Sequence, residues 1–268
     1  MKVFVDHLDR RVTEQELKEA GVKFKTGSFP MRALGRSRAS MDIDGQEKLW
    51  NSKVLILGIG GLGCAVSQYL TAAGVGEITL VDDDKVDKTN LQRQVLHEEL
   101  DVGTNKCLSA KQSLSKLNSE ILINTIEERL TGESLSQAIA HHDLVIDCCD
   151  NLTTRNEINH YCFLHKTPLV SGAAIRMEGQ VAVFDMQPQS PCYHCFSQSF
   201  GEQSLTCVEA GVLSPLVGMI GSMQAIEAIK LLAAIGQPLI GKLLMVDAFS
   251  MEIQTFNLPK VSHCSVCG

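Results

Sequence analysis

Four short aliphatic runs, "KVLILG", "EITLVD", "DLVIDC" and "TPLVSG", recur through the middle of the chain. Their apolar residues are consecutive rather than alternating, the pattern of strands buried on both faces of a parallel sheet. Helical segments lie between most of them, so the centre predicts a βαβ sheet. After Gly172 the pattern changes: "GQVAVFDM" and "KLLMVDAFSMEIQTFNL" alternate more and predict antiparallel strands around one long helix. That helix is "PLVGMIGSMQAIEAIKLLAAIG", Pro215 to Gly236, nearly as long as a membrane span and mostly apolar. Gln224, Glu227 and Lys230 interrupt it at helical spacing, and charge at its centre would be costly in lipid. A buried core helix with Ser214 as N-cap and Pro215 in its first turn accounts for the same residues.

The N-terminal stretch is more charged and lacks cysteine; within it, Thr13 and Glu16 of "TEQELKEAGV" form a capping box for a short helix ended by Gly21. We expect residues 1–43 to be an appendage and arm. Residues 44–268 then form one continuous α/β domain, with a nucleotide-binding first half and a substrate-facing second half.

A chain of 268 residues with 44% hydrophobic and 21% charged positions can bury a substantial core without covalent staples. Its net charge of -7 and pI near 5.6 argue against nucleic acid as a partner, because that needs a concentrated basic face. "MKVFVDHLDRR" has no apolar core of the signal-peptide kind, so a cytoplasmic location and no membrane partner are expected.

The chemistry begins at "VLILGIGGLGCAVSQYL", where Gly58, Gly60 and Gly63 follow a strand and open a helix. This G-x-G-x-x-G spacing is that of a Rossmann-like phosphate-binding loop, with Asp82 at the end of the next strand where a ribose-binding acid belongs. The alternative is a tight turn that needs glycine for packing alone. Just beyond lie Asn90, Arg93, Gln94 and Lys106. Cations there suit a triphosphate rather than a nicotinamide ring, although Arg93 and Lys106 taken singly also read as solvated surface charges.

Ten cysteines without a signal peptide argue for thiols and metal rather than disulfides. "CYHC" and "CSVC" place Cys192, Cys195, Cys264 and Cys267 in two C-x-x-C pairs, the ligand set of a tetrahedral structural Zn2+. Such an ion would clip the C-terminal tail to the body. Cys64, Cys107, Cys148, Cys149 and Cys162 read as small core residues on helices or strands.

Taken with "VDDDKVDKTNLQRQ", "VGTNK", "DCCDN", "SGAAIRMEGQ", "TCVEAGV" and "GSMQAIEAIK", these motifs resemble the ThiF/MoeB/HesA family, bacterial relatives of ubiquitin-activating enzymes, from about Asp44 to Gly268. The resemblance implies ATP in the glycine loop. It implies adenylation of the C-terminal Gly-Gly carboxylate of a ubiquitin-like sulfur-carrier protein, with release of pyrophosphate. The carrier would be of the molybdopterin-synthase small-subunit type or, alternatively, the thiamin-pathway type. On matching positions, Gly61 lies at the nucleotide and Asp82 at the ribose. Thr89, Asn90, Leu91, Gln92, Arg93 and Lys106 line the phosphate side. Asp150 handles Mg2+, with Asn151 beside it; the other reading of Asp150 is an acid at a helix N-terminus. Arg93, Lys106 and Asp150 are the implied catalytic set. Cys207 stands where some members carry a sulfur or thioester adduct.

Family members usually form homodimers in which an N-terminal arginine crosses to the partner's ATP. Here the usual "R-Y-x-R-Q" is replaced by "FPMRALGRSRASMDIDGQEKL", which leaves Arg32, Arg36 and Arg38 as candidates. Two other functions stay in view: a dehydrogenase, which would bind NAD, and an inactive scaffold, which would bind the carrier without turnover.

Overall fold

The computed structural model describes residues 43–198 and 211–268. In chain order the elements are α1 (Ile43–Trp50), β1 (Lys53–Leu57), α2 (Gly61–Ala73), β2 (Glu77–Val81), α3 (Lys106–Leu117), β3 (Leu122–Ile126), α4 (Gly132–Ala140), β4 (Leu144–Asp147) and α5 (Leu152–His165). They continue with β5 (Leu169–Ile175), β6 (Glu178–Phe184), α6 (Tyr193–Ser197), α7 (Ser214–Ala233), β7 (Lys242–Asp247) and β8 (Glu252–Asn257).

The eight strands among the described residues share one sheet in the order β3-β2-β1-β4-β5-β6-β7-β8. The first five pair in parallel and β5 to β8 pair antiparallel, as the shift from consecutive to alternating apolar residues predicts. Strand β4, "LVID", is buried at every position. One core cluster joins the sheet to α1, α2, α3 and α7, and a second joins its other face to α4, α5 and α6, which makes three layers.

The long apolar helix α7 spans Ser214 to Ala233 and meets the length and hydropathy of a membrane span. Leu216, Val217, Ile220, Ala225 and Ala228 are nevertheless buried against the sheet and α2. A Cβ on Gly221 would sit 2.4 Å from the Leu62 carbonyl oxygen, so the two helices cross backbone to backbone. Glu227 is buried but satisfied, accepting from the Leu239 N–H at 2.9 Å and pairing with Lys230. The expected N-cap is corrected: Leu213 caps the helix and Ser214 is its first residue. The Ser214 hydroxyl is engaged instead by the Gln92 carbonyl, to which it donates a short hydrogen bond. The helix also ends earlier than Gly236, at a left-handed Ala234.

Candidate active site

The strand order reverses between β1 and β4: β1–α2–β2 runs toward one edge and β4–α5–β5 toward the other, with α2 and α5 on opposite faces. A crevice outside the carboxyl ends of these two strands is where such sheets bind ligands. The glycine loop leaves β1 there. Gly58 has φ +92° and a Cβ on it would meet the Cys148 carbonyl oxygen at 2.9 Å, while a Cβ on Gly63 would lie 2.0 Å from the Gly58 carbonyl. Only glycine permits both approaches, and they set the N-terminus of α2 at the crevice. Gly60 caps that helix without a side-chain bond, so its first N–H groups form a ready anion site.

Asp82 follows β2 on the same edge. Its Oδ2 accepts from the Ile59 N–H at 2.7 Å and its Oδ1 from the Asp84 N–H at 2.9 Å. Burial pushes this carboxyl above the usual range, and Lys106 opposes the shift. Lys106 is the first residue of α3, whose N-cap Asn105 accepts from the Cys107 N–H and donates to the Asp82 carbonyl. A cation at a helix N-terminus opposes the helix dipole, by about 0.3–1 kcal/mol. Here it is compensated by Asp84 Oδ2 at 2.6 Å and Asp82 Oδ1 at 3.8 Å from Nζ. A phosphate at that point would meet a buried ammonium and the helix's positive end together.

A third element closes over the loop. Asp87 caps a 3-10 turn at Lys88–Asn90 through the Thr89 N–H, and the Asn90 carbonyl accepts from the N–H groups of Arg93 and Gln94. This turn lies against the glycines: the Arg93 carbonyl is 3.3 Å from where a Gly61 Cβ would be. Gln94 Nε2 is 3.6 Å from the corresponding point on Gly60, and the buried Gln94 Oε1 has no hydrogen-bond partner among the described residues. An orphaned acceptor beside the loop suits a hydroxyl, amino or water donor brought in with a ligand. Below it, buried His97 shares a hydrogen bond with Ser109 at 2.8 Å and reaches the Ile59 carbonyl at 3.3 Å. Burial lowers its pKa.

From β4 the chain turns toward Asp150. Cys148 N–H donates to the Leu57 carbonyl and Cys149 N–H to Asp147 Oδ1, so this turn is stitched to the glycine loop and to its own strand. Asp150 is exposed at its tip, and Asn151 caps α5 by accepting from the Thr154 N–H at 2.9 Å.

On the far face, Cys192, Cys195, Cys264 and Cys267 are all buried. Their sulfurs lie within 4.8 Å of one another, with Cys192–Cys264 at 3.6 Å and Cys195–Cys267 at 3.4 Å. Tetrahedral Zn2+ with its usual sulfur bond lengths separates ligand sulfurs by about 3.8 Å, so the residues present fit that ion. Asn159 Nδ2 and the Val261 N–H donate to Cys192 and Cys195 sulfurs, as thiolate ligands require.

The ThiF family profile matches residues 34–266. The chain belongs to the ThiF family. It is 54% identical to the molybdopterin-synthase adenylyltransferase of Escherichia coli over 227 residues, which is 85% of this chain and 91% of that protein. It is 43% identical to the sulfur carrier protein ThiS adenylyltransferase of the same organism over 226 residues, 84% of this chain and 90% of that one. Among solved structures, E. coli MccB with ATP superimposes with a TM-score of 0.74 at 28% identity, covering 84% of this chain and 69% of that one.

For this ThiF-family chain, the residues named from sequence fall into distinct groups. Gly61, Asp82, Asn90, Arg93, Lys106 and Asp150 all lie on elements that meet at the carboxyl edge. Thr89, Leu91 and Gln92 belong to the turn between Asp87 and Gln94, with Gln92 held through its carbonyl by Ser214. Cys64, Cys107 and Cys162 are core thiols, and burial pushes the first two up to about 12. Cys148 and Cys149 are corrected: they sit in the half-buried turn after β4, not on a strand or helix, because β4 ends at Asp147. Cys207, Arg32, Arg36 and Arg38 lie outside the described residues, as does the short helix expected after Thr13. Sequence reasoning missed Asp84, the closest partner of Lys106, and the buried charges Asp147 and Arg155. Arg155 had a signal: with Ile158, Asn159 and Cys162 it completes the buried stripe of α5 at helical spacing.

Proposed function

We propose that the chain uses ATP to adenylate the C-terminal Gly-Gly carboxylate of a ubiquitin-like sulfur carrier of the molybdopterin-synthase small-subunit type. The observation that carries this reading is the meeting of the glycine loop, the Asp82–Lys106–Asp84 cluster and the Asp150 turn at one switch point. The 54% identity to a molybdopterin-synthase adenylyltransferase, against 43% to the ThiS enzyme, favours that carrier over the thiamin-pathway one.

In the reaction, a carrier carboxylate oxygen bonds to the α-phosphorus as that phosphorus releases the bridging oxygen of pyrophosphate, giving an acyl-adenylate. No protein nucleophile is required; fixed positive charge and alignment supply the rate. Lys106, Arg93 and the first N–H groups of α2 face the phosphates, Asp82 takes the ribose, and Gly61, Thr89, Asn90, Leu91, Gln92 and Asn151 complete the nucleotide's surroundings. Asp150 would hold Mg2+, which supplies charge neutralisation at the phosphates when bound, and its exposed carboxylate on a tied-down turn suits that task. The four cysteines would hold Zn2+ in a closed structural site.

The partner is a protein, and the open edge of the sheet supports that: Phe249, Met251, Ile253 and Phe256 on and before β8 are exposed. Exposed Val95, Leu100 and Val102 in the connection after Arg93 support a homodimer, in which Arg36 of the 1–43 arm reaches the neighbour's phosphates. Cytoplasmic residence accords with reduced thiols. Pyrophosphate exchange into ATP, run side by side with molybdopterin-type and thiamin-type carriers, tests the reading; exchange with only the latter, or with neither, overturns it.

A further inference from the structure

A second buried ion pair lies behind Asp150, on residues the chemistry above does not use. Arg155 stands one turn into α5 and is 7% exposed; Asp147 ends β4 and is wholly buried. Arg155 Nη1 lies 3.5 Å from Asp147 Oδ2 and donates to the Ser171 hydroxyl at 3.3 Å. Its Nη2 donates to the Gly172 carbonyl at 2.8 Å and, in a short bond, to the Cys149 carbonyl. Ser171 in turn donates to Asp147 Oδ2 at 2.9 Å, and Gln224 Nε2 to the Asp147 carbonyl at 2.8 Å. One guanidinium thus ties β4, β5 and the turn between β4 and α5 together.

The consequence falls on Asp150. Its predecessor Cys149 is fixed through both backbone groups, the N–H to Asp147 Oδ1 and the carbonyl to Arg155. Its successor Asn151 is fixed by capping α5. The carboxylate between them projects into solvent from a backbone with no slack on either side. The helix that carries Arg155 is itself anchored one turn on, where Asn159 accepts from the Tyr193 N–H and donates to Cys192 Sγ.

We infer that Arg155 is a positioning residue of the adenylation reaction, holding the 147–150 backbone so that Asp150 meets the metal-bound phosphates in one geometry. The inference rests on the reading of Asp150 given above. Arginine is required because a planar fork reaches four oxygens from three segments, whereas a lysine head cannot.

Arg155→Lys keeps the charge opposite Asp147 and removes the fork. The variant should bind ATP as the wild type does, since the glycine loop, Asp82 and Lys106 are untouched. Its kcat for carrier-dependent exchange should fall by about tenfold to a hundredfold, the scale of a small misplacement of a reacting group. The Mg2+ concentration for half-maximal rate should rise. In an Asp150→Asn background the same change should lower the rate by less than roughly twofold, because residues acting as one unit are not additive. Hydrogen exchange on the nucleotide-free protein gives a readout independent of activity: amides of 148–151 should exchange faster while the helical amides of α2 from Cys64 onward stay protected. An unchanged Mg2+ requirement, full additivity with Asp150→Asn, or unchanged exchange at 148–151 overturns the inference. If Arg155→Lys does not fold, Ser171→Ala, which removes the hydroxyl bridging the pair and neither charge, is read by the same criteria. A wild-type protein without pyrophosphate exchange defeats the adenylation reading, and the hydrogen-exchange arm still decides whether Arg155 holds the turn.

Discussion

Replacing Lys106 by methionine separates what the charge does for the fold from what it does for the reaction. Methionine keeps the aliphatic stem, so the loss is that of an ammonium 6% exposed, 3.8 Å from Asp82 and 2.6 Å from Asp84. At 3.8 Å and an effective dielectric near 20, the attraction to Asp82 has a ceiling of about 4 kcal/mol. Removing one partner leaves the buried Asp82 carboxylate uncompensated, so the loss lies near that ceiling, about 3–4 kcal/mol. The Asp84 pair adds at most about 1 kcal/mol, because that carboxylate is 69% exposed and screened. For a domain of this size a total loss of about 3–5 kcal/mol lowers the melting temperature by about 6–20 °C, so both assays are run at 25 °C, where the variant should stay folded. The exchange rate should fall by at least roughly a hundredfold, the scale of a lost pre-organised contact to developing charge. Thermal melts by circular dichroism and carrier-dependent pyrophosphate exchange on the same preparation measure both. A folded Lys106→Met protein with exchange within a few-fold of wild type would refute the electrostatic argument.

Elemental analysis of freshly purified protein should find one zinc per chain. Cys264→Ser with Cys267→Ser should lose that zinc and expose the C-terminal tail to protease, while ATP binding persists. Cys207→Ala should retain pyrophosphate exchange, because the acyl-adenylate forms without a thiol. The buried neutral His97, its pKa lowered by burial, should cost stability in acid. Because its folded value lies below its unfolded one, its contribution is complete above about pH 6.5 and is lost as pH falls through the folded value. His97→Gln should therefore flatten the acid side of a melting-temperature profile between neutral pH and the onset of general acid unfolding.

Much of the fold was legible because the parallel strands are buried on both faces and so read as unbroken apolar runs. Strand β3, "LINTI", escaped this rule: it is the sheet's edge, only one of its positions is fully buried, and its letters do not form a continuous run. The α7 cap failed for a tertiary reason, since the Ser214 hydroxyl that suits an N-cap is taken by Gln92, far away in sequence. At the site, Asp82 was read as the acid ending the second strand and Lys106 as a cation just beyond it, and the structure brings the two within 3.8 Å of each other. Arg155 and Asp147 were missed: the stripe that Arg155 shares with Ile158, Asn159 and Cys162 was the one signal for it, and Asp147 at the end of β4 carries none, because its partners Arg155 and Ser171 come from other elements. The four cysteines were legible as a set because spacing alone encodes two ligand pairs, while the convergence of the pairs depends on the antiparallel half of the sheet.

The central claim, activation of a carrier's terminal carboxylate by ATP, is tested most directly by pyrophosphate exchange with matched carrier forms. Exchange should appear with an intact molybdopterin-type carrier ending in Gly-Gly and vanish when that carrier's terminus is amidated or its last two residues are removed. Equal exchange with the amidated carrier, or none with the intact one, would contradict the account.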